Sequence, residues 1–172
     1  RRAGGCRAAA AAVPCAAMRI AIFLACLLEA FVADEVWLRL AILLRPRRRV
    51  AIISAYQHVS ARRVLALARA WCGFRLEVSA FRGSLPRQCL VISNHQSLAD
   101  IPVLMHALPS LDLRFVAKRE LRRRIPAVSL TLRAGEHALI GRRDGFAHAR
   151  RALDRLAALA ASGVSPVVFP EG

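Results

Sequence analysis

His95 and Asp100 are the two side chains of this chain whose types and spacing best suit acid–base chemistry. The two residues are five positions apart. Five residues turn a regular helix by about 140° beyond a full turn, so the two groups would not face each other if both were helical. They can meet if His95 lies in a turn and Asp100 begins a helix. The carboxylate would then fix the imidazole tautomer and leave the other nitrogen free as a general base. An aspartate that only caps a polar turn is the alternative, and this stretch alone does not decide between the two.

The elements that must position this pair follow from hydrophobic patterning. An apolar strand over residues 88–92 stops at polar Ser93, and Asp100 with Pro102 marks a helix start, with the helix over 101–108. Alternating or β-branched runs predict further strands at residues 74–78, 113–117, 138–140 and 167–169. A long amphipathic helix is expected over 146–161. The order predicts an α/β fold with a mixed, largely parallel sheet and flanking helices.

Charged side chains also fall at the ends of the later predicted strands. Lys118, the only lysine of the chain, follows one strand, Arg142 follows the next, and Glu171 follows the last. Open α/β sheets bind ligands at the carboxyl ends of their strands, where cations suit a phosphate. The arginines at 122–124 are interpreted instead as a solvated helix face.

Composition narrows the classes of protein. The 172 residues suit one domain, and a net charge of +16 accompanies 56% hydrophobic residues. This pairing argues against a disordered nucleic-acid tail and favours a globular protein beside an anionic membrane surface, although an Arg-rich coding bias accounts for part of the charge. The five cysteines are scattered without ligand spacing, so they are expected to be reduced and to hold no metal.

The N-terminal third predicts a membrane-associated helical segment. Residues 1–17 are interpreted as a non-native or disordered leader, and residues 18–49 as the membrane-associated part. Glu29, Asp34 and Glu35 interrupt its apolar run, which predicts one short or re-entrant segment plus an interfacial helix, with a pair of core helices as the alternative. Arginines within 45–49 then supply charge for headgroups and place the remainder at the cytoplasmic face of the inner membrane. Residues 50–72 predict another helix or two, closed by Gly73.

Several stretches resemble the conserved motifs of the glycerolipid acyltransferase family. Residues 94–100 read Asn-His-Gln-Ser-Leu-Ala-Asp and match its first motif, in which Asp follows His after four intervening residues. Residues 139–142 resemble the second motif, Phe-Ile-Asp-Arg, with Gly141 in place of Asp. Residues 168–172 resemble the start of the third, Phe-Pro-Glu-Gly-Thr-Arg, and residues 115–121 resemble the segment between the first two. The resemblance covers residues 74–172 and marks 50–172 as an acyltransferase domain, expected to be incomplete at its C-terminus.

The resemblance implies a mechanism and a set of site residues. His95 would deprotonate a substrate hydroxyl that attacks an acyl thioester, and Asp100 would orient and charge-balance the imidazole. Arg142 and Lys118 would bind the phosphate of the acceptor, and Glu171 would close the acceptor pocket. Asn94 and Gly172 complete the predicted substrate-binding set. No bound cofactor is expected, because acyl-CoA or acyl-carrier protein serves as co-substrate and a lysophospholipid such as 1-acylglycerol 3-phosphate as acceptor.

Other interpretations remain open at this point. Within the same class, the acceptor could be glycerol 3-phosphate or lyso-ornithine lipid. A non-catalytic basic module that binds membranes or nucleic acid would leave His95, Asp100 and Glu171 unexplained, and nucleic acid is not expected as a partner. A hydrolase using Ser93 or Ser97 is disfavoured, because neither serine lies in a nucleophile-elbow pattern.

Overall fold

The computed structural model describes residues 15–79, 84–123, 125–141 and 145–170. Its α-helices are α1 (Ala16–Leu44), α2 (Arg49–Cys72), α3 (Asp100–Ala107), α4 (Val128–Ala134) and α5 (Phe146–Ala160). Its strands are β1 (Val91–Ile92), β2 (Leu113–Lys118), β3 (Ala138–Ile140) and β4 (Ser165–Val168). Short 3-10 helices occupy Pro46–Arg48 and Arg119–Arg123.

The four described strands form one sheet in the order β1-β4-β2-β3, and every pairing is parallel. Val167 of β4 lies opposite Val91 of β1 on one side and Phe115 of β2 on the other. Since parallel strands all end at the same edge, the residues that follow them are brought together there. The predicted α/β fold with a largely parallel sheet and an N-terminal apolar helix is confirmed.

Helices cover the two faces of this sheet. The crossover through α3 runs from β1 towards β2, and the crossover through α5 runs in the opposite direction, from β3 back to β4. Because such crossovers are right-handed, α3 and α5 lie on opposite faces. The main core forms on the α3 face, where α2 also packs, from buried side chains of both helices, the loop before β2 and the sheet: Ala61, Met105, Leu111, Leu113, Phe115 and Val167.

The predicted strand at residues 74–78 is wrong. No described strand pairs with this segment, which runs in irregular structure beside α2 and lines a cavity of about 890 Å³ with Leu65 and Ala66. Phe74 and Leu76 are half-buried while Arg75 is exposed. An extended segment packed on a helix buries alternate side chains just as an edge strand does, so the alternation did not distinguish the two.

Helix α1 is one unbroken helix rather than the two segments that its charges predicted. Asp34 turns towards α2, where both of its oxygens lie 2.7 Å from Nη1 of Arg63 and one accepts from the Tyr56 hydroxyl at 3.0 Å. Glu35 accepts the backbone N–H of Ala127 at 2.7 Å, at the start of α4. These two carboxylates therefore bind the protein's own donors, and the helix continues past them.

The solvent-facing side of α1 is largely apolar. Large exposed side chains recur along it, among them Ile20, Leu24, Leu28, Val32, Val36 and Leu40. The helix is long and apolar enough to cross a membrane, by length and composition. It packs antiparallel against α2, a single helix that ends, as predicted, at Gly73 with φ +66°.

Candidate active site

The turn between β1 and α3 is built around the carboxylate of Asp100. Its Oδ2 accepts the backbone N–H of Gln96 at 2.7 Å and that of Ser97 at 2.8 Å. An ionised carboxylate only accepts hydrogen bonds, so these two donors draw the loop around it. Helix α3 begins at Asp100 itself. The predicted strand, turn and helix are all present, although β1 spans only Val91–Ile92.

His95 and Asp100 meet as their spacing predicted. Nδ1 of His95 lies 3.0 Å from Oδ2 of Asp100, the oxygen that also accepts the loop N–H groups. The side chains of His95 and Asp100 are 30% and 26% exposed, so the pair is partly screened yet open to a substrate. The N–H of Ser97 first, then that of Gln96 and the imidazole, hold the pKa of Asp100 below its ordinary value. Asp100 is therefore a carboxylate at neutral pH.

This arrangement fixes the tautomer of His95. A carboxylate has no proton to donate, so Nδ1 of His95 carries the hydrogen of the neutral ring. Nε2 is then left with a free lone pair, which is the state that a general base requires. The alternative of an aspartate that only caps the turn is incomplete, because Asp100 caps the turn and binds the imidazole with the same oxygen.

Phe169 supports the imidazole from the next strand. It follows β4, and its ring stacks on His95 with 4.4 Å between ring centroids and 27° between planes. On its other side lies Phe115 of β2, at 6.2 Å. Phe115 lies in turn 6.0 Å from the ring of His137. These four rings form a row across the α3 face of the sheet, in the order His95, Phe169, Phe115 and His137. The imidazole of the candidate base lies at one end of the row.

His137 ends this row inside the protein. It precedes β3, and its Nδ1 accepts the backbone N–H of Phe115 at 3.1 Å, where β3 has not yet begun to pair. Its Nε2 lies 3.2 Å from the side-chain amide of Gln57 on α2. Burial, with a further contribution from the Arg114 cation, lowers the pKa of His137 to about 3. The ring is therefore neutral and serves as a structural acceptor.

Arg114 ties the start of β2 to α2. Its side chain is fully buried, and its guanidinium binds both oxygens of Asp112 and donates to the Ser54 hydroxyl at 2.8 Å. A buried cation needs such partners because its desolvation is costly. Neither Arg114 nor His137 was singled out from the sequence, since Ser54 and Gln57, which bind them from α2, lie far away along the chain.

The other predicted site residues fall in three groups. Asn94 is exposed in the turn, where its backbone carbonyl accepts a hydrogen bond from the Ser93 hydroxyl at 3.1 Å. Lys118 ends β2 opposite Ile140 of β3, at the same sheet edge as His95. Arg142, Glu171 and Gly172 lie outside the described residues.

Metal-binding side chains do not converge in the part of the chain that the structure describes: no three His, Cys, Asp or Glu residues form a group there that could hold an ion.

Comparison with known proteins identifies the class. The family model described as Acyltransferase matches residues 78–172, which is more than half of the chain and contains the turn, the sheet and α5. Neither the curated proteins nor the solved structures that were compared gave a match. On the family match and the paired His95 and Asp100, the chain belongs to the glycerolipid acyltransferase family.

Proposed function

We propose that this acyltransferase moves a fatty acyl group from a thioester donor to the hydroxyl of a lysophospholipid such as 1-acylglycerol 3-phosphate. The family match supports acyl transfer in general. The observation that carries the catalytic part of the proposal is the contact of 3.0 Å between His95 and Asp100 at the edge where the four described strands end. That contact leaves one imidazole nitrogen free to act as a base.

The reaction follows from this geometry. Nε2 of His95 removes the proton of the acceptor hydroxyl as its oxygen attacks the carbonyl carbon of the thioester. A C–O bond forms and the C–S bond breaks, and the departing thiolate takes the proton from the imidazolium. Asp100 stays ionised and stabilises the imidazolium while it exists. General-base help of this kind contributes about 10²- to 10⁴-fold to a rate.

The serines of the turn do not compete for the role of nucleophile. The hydroxyl of Ser93 donates to the carbonyl of Asn94 at 3.1 Å, and that of Ser97 accepts the N–H of Ala99 at 3.1 Å. A serine nucleophile needs a hydrogen bond to its base, and these contacts direct both hydroxyls to groups other than Nε2 of His95. The contacts favour transfer to a substrate hydroxyl over hydrolysis through a covalent enzyme intermediate.

Recognition of the acceptor is assigned to the charged residues at the strand ends. Arg142, and with it Lys118, would bind the phosphate, while Glu171 with Asn94 and Gly172 would line the acceptor pocket. The placement of Lys118 at the sheet edge is compatible with this role. Glycerol 3-phosphate or lyso-ornithine lipid are the alternative acceptors, and the second has no phosphate for these cations to bind.

We further propose that α1 lies on the membrane rather than crossing it. Helices α1 and α2 are held together at two points, because Arg19 donates to the carbonyl of Trp71 at 2.8 Å near one end of the pair and Asp34 binds Arg63 further along it. A spanning α1 would therefore carry the arginines of α2 into the hydrocarbon, which is costly. Lying flat, α1 offers an apolar side about 44 Å long to the bilayer. The arginines after Leu44 then meet anionic headgroups at the cytoplasmic face of the inner membrane.

The test is an acyl-transfer assay of the full chain in lipid vesicles, with acyl-CoA or acyl-carrier protein as donor. Lysophosphatidic acid, glycerol 3-phosphate and lyso-ornithine lipid are supplied in separate reactions. We expect His95→Ala and Asp100→Asn each to lose about 10²-fold or more in kcat, because the base or its tautomer is lost. His106→Ala provides the matched control, since His106 is exposed on the same helix as Asp100.

Each result is informative. Full activity of His95→Ala would overturn the mechanism. Loss in both variants with no loss in the control supports it, and the preferred acceptor is the one with the highest kcat/KM. Turnover of lyso-ornithine lipid above the phosphorylated acceptors would refute the lysophosphatidic acid assignment while leaving the base in place.

A further inference from the structure

A basic groove lies beside β3, at the opposite end of the sheet from the strand that His95 follows. It has a volume of about 880 Å³ and runs between α5, β3, the end of α4 and the 3-10 helix that follows β2. We name it the arginine groove after the arginines that line it: Arg49, Arg119, Arg122, Arg133, Arg151 and Arg155.

Arginines carry most of the charge of the described lining residues. Glu136 is the one carboxylate among the described lining residues, and it is paired with Arg49 at 3.3 Å. Arg151 and Arg155 lie one turn apart on α5 and are both exposed. Six of the sixteen lining residues are arginines, whereas the whole chain has 27 Lys and Arg in 172 residues. The Arg-rich composition of the chain does not by itself produce this concentration.

The floor of the groove is apolar. It is made by aliphatic side chains of α4, β3 and α5, namely Leu132, Ala138, Leu139, Leu156 and Leu159. An arginine rim over an aliphatic floor suits a ligand that carries several phosphates on a flat, weakly polar group. The volume falls within the range of about 300–1,000 Å³ typical of small-molecule sites. The groove therefore suits a nucleotide better than a protein partner as its ligand.

The position of the groove limits the ligand further. Its β3 wall is the last strand of the order β1-β4-β2-β3, and His95 follows the first. Three strand spacings separate the two, which is about 14 Å. The groove reaches the carboxyl edge of the sheet at Arg119 and His148. A ligand held there reaches His95 only through a long, narrow arm laid across the strand ends.

We propose that the arginine groove binds the phosphate-bearing nucleotide end of a coenzyme A thioester. The phosphates lie among the arginines, the base lies on the aliphatic floor, and the pantetheine arm crosses the sheet edge to bring the thioester to His95. The inference rests on the proposed function, because it assigns the donor of that reaction and the site that holds its far end.

The first test measures binding without turnover. Isothermal titration of the full chain in detergent micelles uses coenzyme A itself, with pantetheine as the ligand that lacks the nucleotide. We expect the Arg151→Gln/Arg155→Gln double variant to raise the Kd for coenzyme A about tenfold or more, because two charge-assisted contacts are lost. Pantetheine is expected to bind weakly and equally to both proteins.

Arg150→Gln is the matched control. Arg150 lies on the same helix and is exposed, but it faces Asp154 and does not line the groove. We expect its Kd for coenzyme A to be unchanged. All substituted side chains are exposed, so the thermal unfolding midpoints of the variants should stay close to that of the parent protein.

A kinetic test separates this inference from the proposed function. The double variant should raise the KM for acyl-CoA about tenfold and leave kcat and the KM for the lysolipid unchanged. If His95→Ala remained active, the proposed mechanism would fall, while the titration would still report on the groove.

Three outcomes would overturn the proposal. The double variant could bind coenzyme A as tightly as the parent. It could lose binding to phosphatidylglycerol vesicles while keeping its affinity for coenzyme A, which would make the groove a lipid-binding surface. Finally, the parent could bind acyl-carrier protein and not coenzyme A, which would make the groove a docking surface for an acidic protein.

Discussion

The imidazole of His95 lies against the ring of Phe169, with ring centroids 4.4 Å apart. His95 follows β1 and Phe169 follows β4. The pairing of β1 with β4 sets this contact, because Ile92 lies opposite Val168 and each ring follows within three residues. Asp100 determines which nitrogen of the ring carries hydrogen, and Phe169 covers one face of the ring.

Loss of the Phe169 ring should slow the reaction without weakening substrate binding. For Phe169→Leu we expect kcat to fall about three- to tenfold, since a stacked aromatic pair contributes about 0.5–1.5 kcal/mol beyond its buried area. The KM values of donor and acceptor should change by less than about twofold. Steady-state kinetics with both substrates varied would measure this division.

Two further variants distinguish positioning from general destabilisation. Phe169→Tyr keeps the stacking ring and should restore most of kcat. Phe146→Leu removes an exposed aromatic ring at the start of α5, so it should leave kcat unchanged. An unaltered kcat in Phe169→Leu would show that the stack does not position His95.

The parts of the site that sequence could predict are local. Asp100 binds groups three to five residues before it in the chain, so one short stretch was enough to predict both the turn and the pairing with His95. The four strands of the sheet could also be predicted, because buried parallel strands are short apolar runs that end abruptly at polar residues. Their shared edge then followed from the fold class.

The parts that sequence could not predict depend on distant partners. His137 binds residues 22 and 80 positions away, and nothing near it in sequence distinguishes it from an exposed histidine. Asp34 and Glu35 looked like interruptions of an apolar helix until Arg63 and the N–H of Ala127 were placed beside them. The segment at 74–78 failed for the converse reason, because its alternation was real but its neighbour was a helix.

The exposed side of α1 should control membrane binding. Leu24 and Leu28 are 55% and 58% exposed and lie one turn apart. For Leu24→Glu/Leu28→Glu we expect the affinity for vesicles to fall about tenfold or more. Each change replaces an aliphatic side chain that would enter the bilayer by a charge at the membrane interface. Co-sedimentation with vesicles of phosphatidylglycerol and phosphatidylethanolamine would measure it.

Leu153→Glu on α5 is the control for this experiment. Leu153 is 45% exposed but lies on a different helix, so its substitution should leave vesicle binding intact. Equal binding of the parent and the double variant would show that the apolar side of α1 does not contact the bilayer.

Acid should destabilise the protein in part through His137. Burial lowers its pKa from 6.5 to about 3, so between these values the unfolded chain binds a proton that the folded protein does not. The stabilisation is fully present above about pH 6.5 and is lost as the pH falls towards 3, with a slope of up to about 1.4 kcal/mol per pH unit.

His137→Gln removes this titration, while its amide oxygen can still accept the N–H of Phe115. We expect the variant to be about 1–3 kcal/mol less stable than the parent at neutral pH, because its packing and hydrogen bonds are imperfect. The gap should narrow as the pH is lowered towards 5. Urea unfolding at several pH values, with exposed His106→Gln as the control, would measure both differences. Parallel stability curves for the parent and His137→Gln would mean that His137 is not held neutral by the fold.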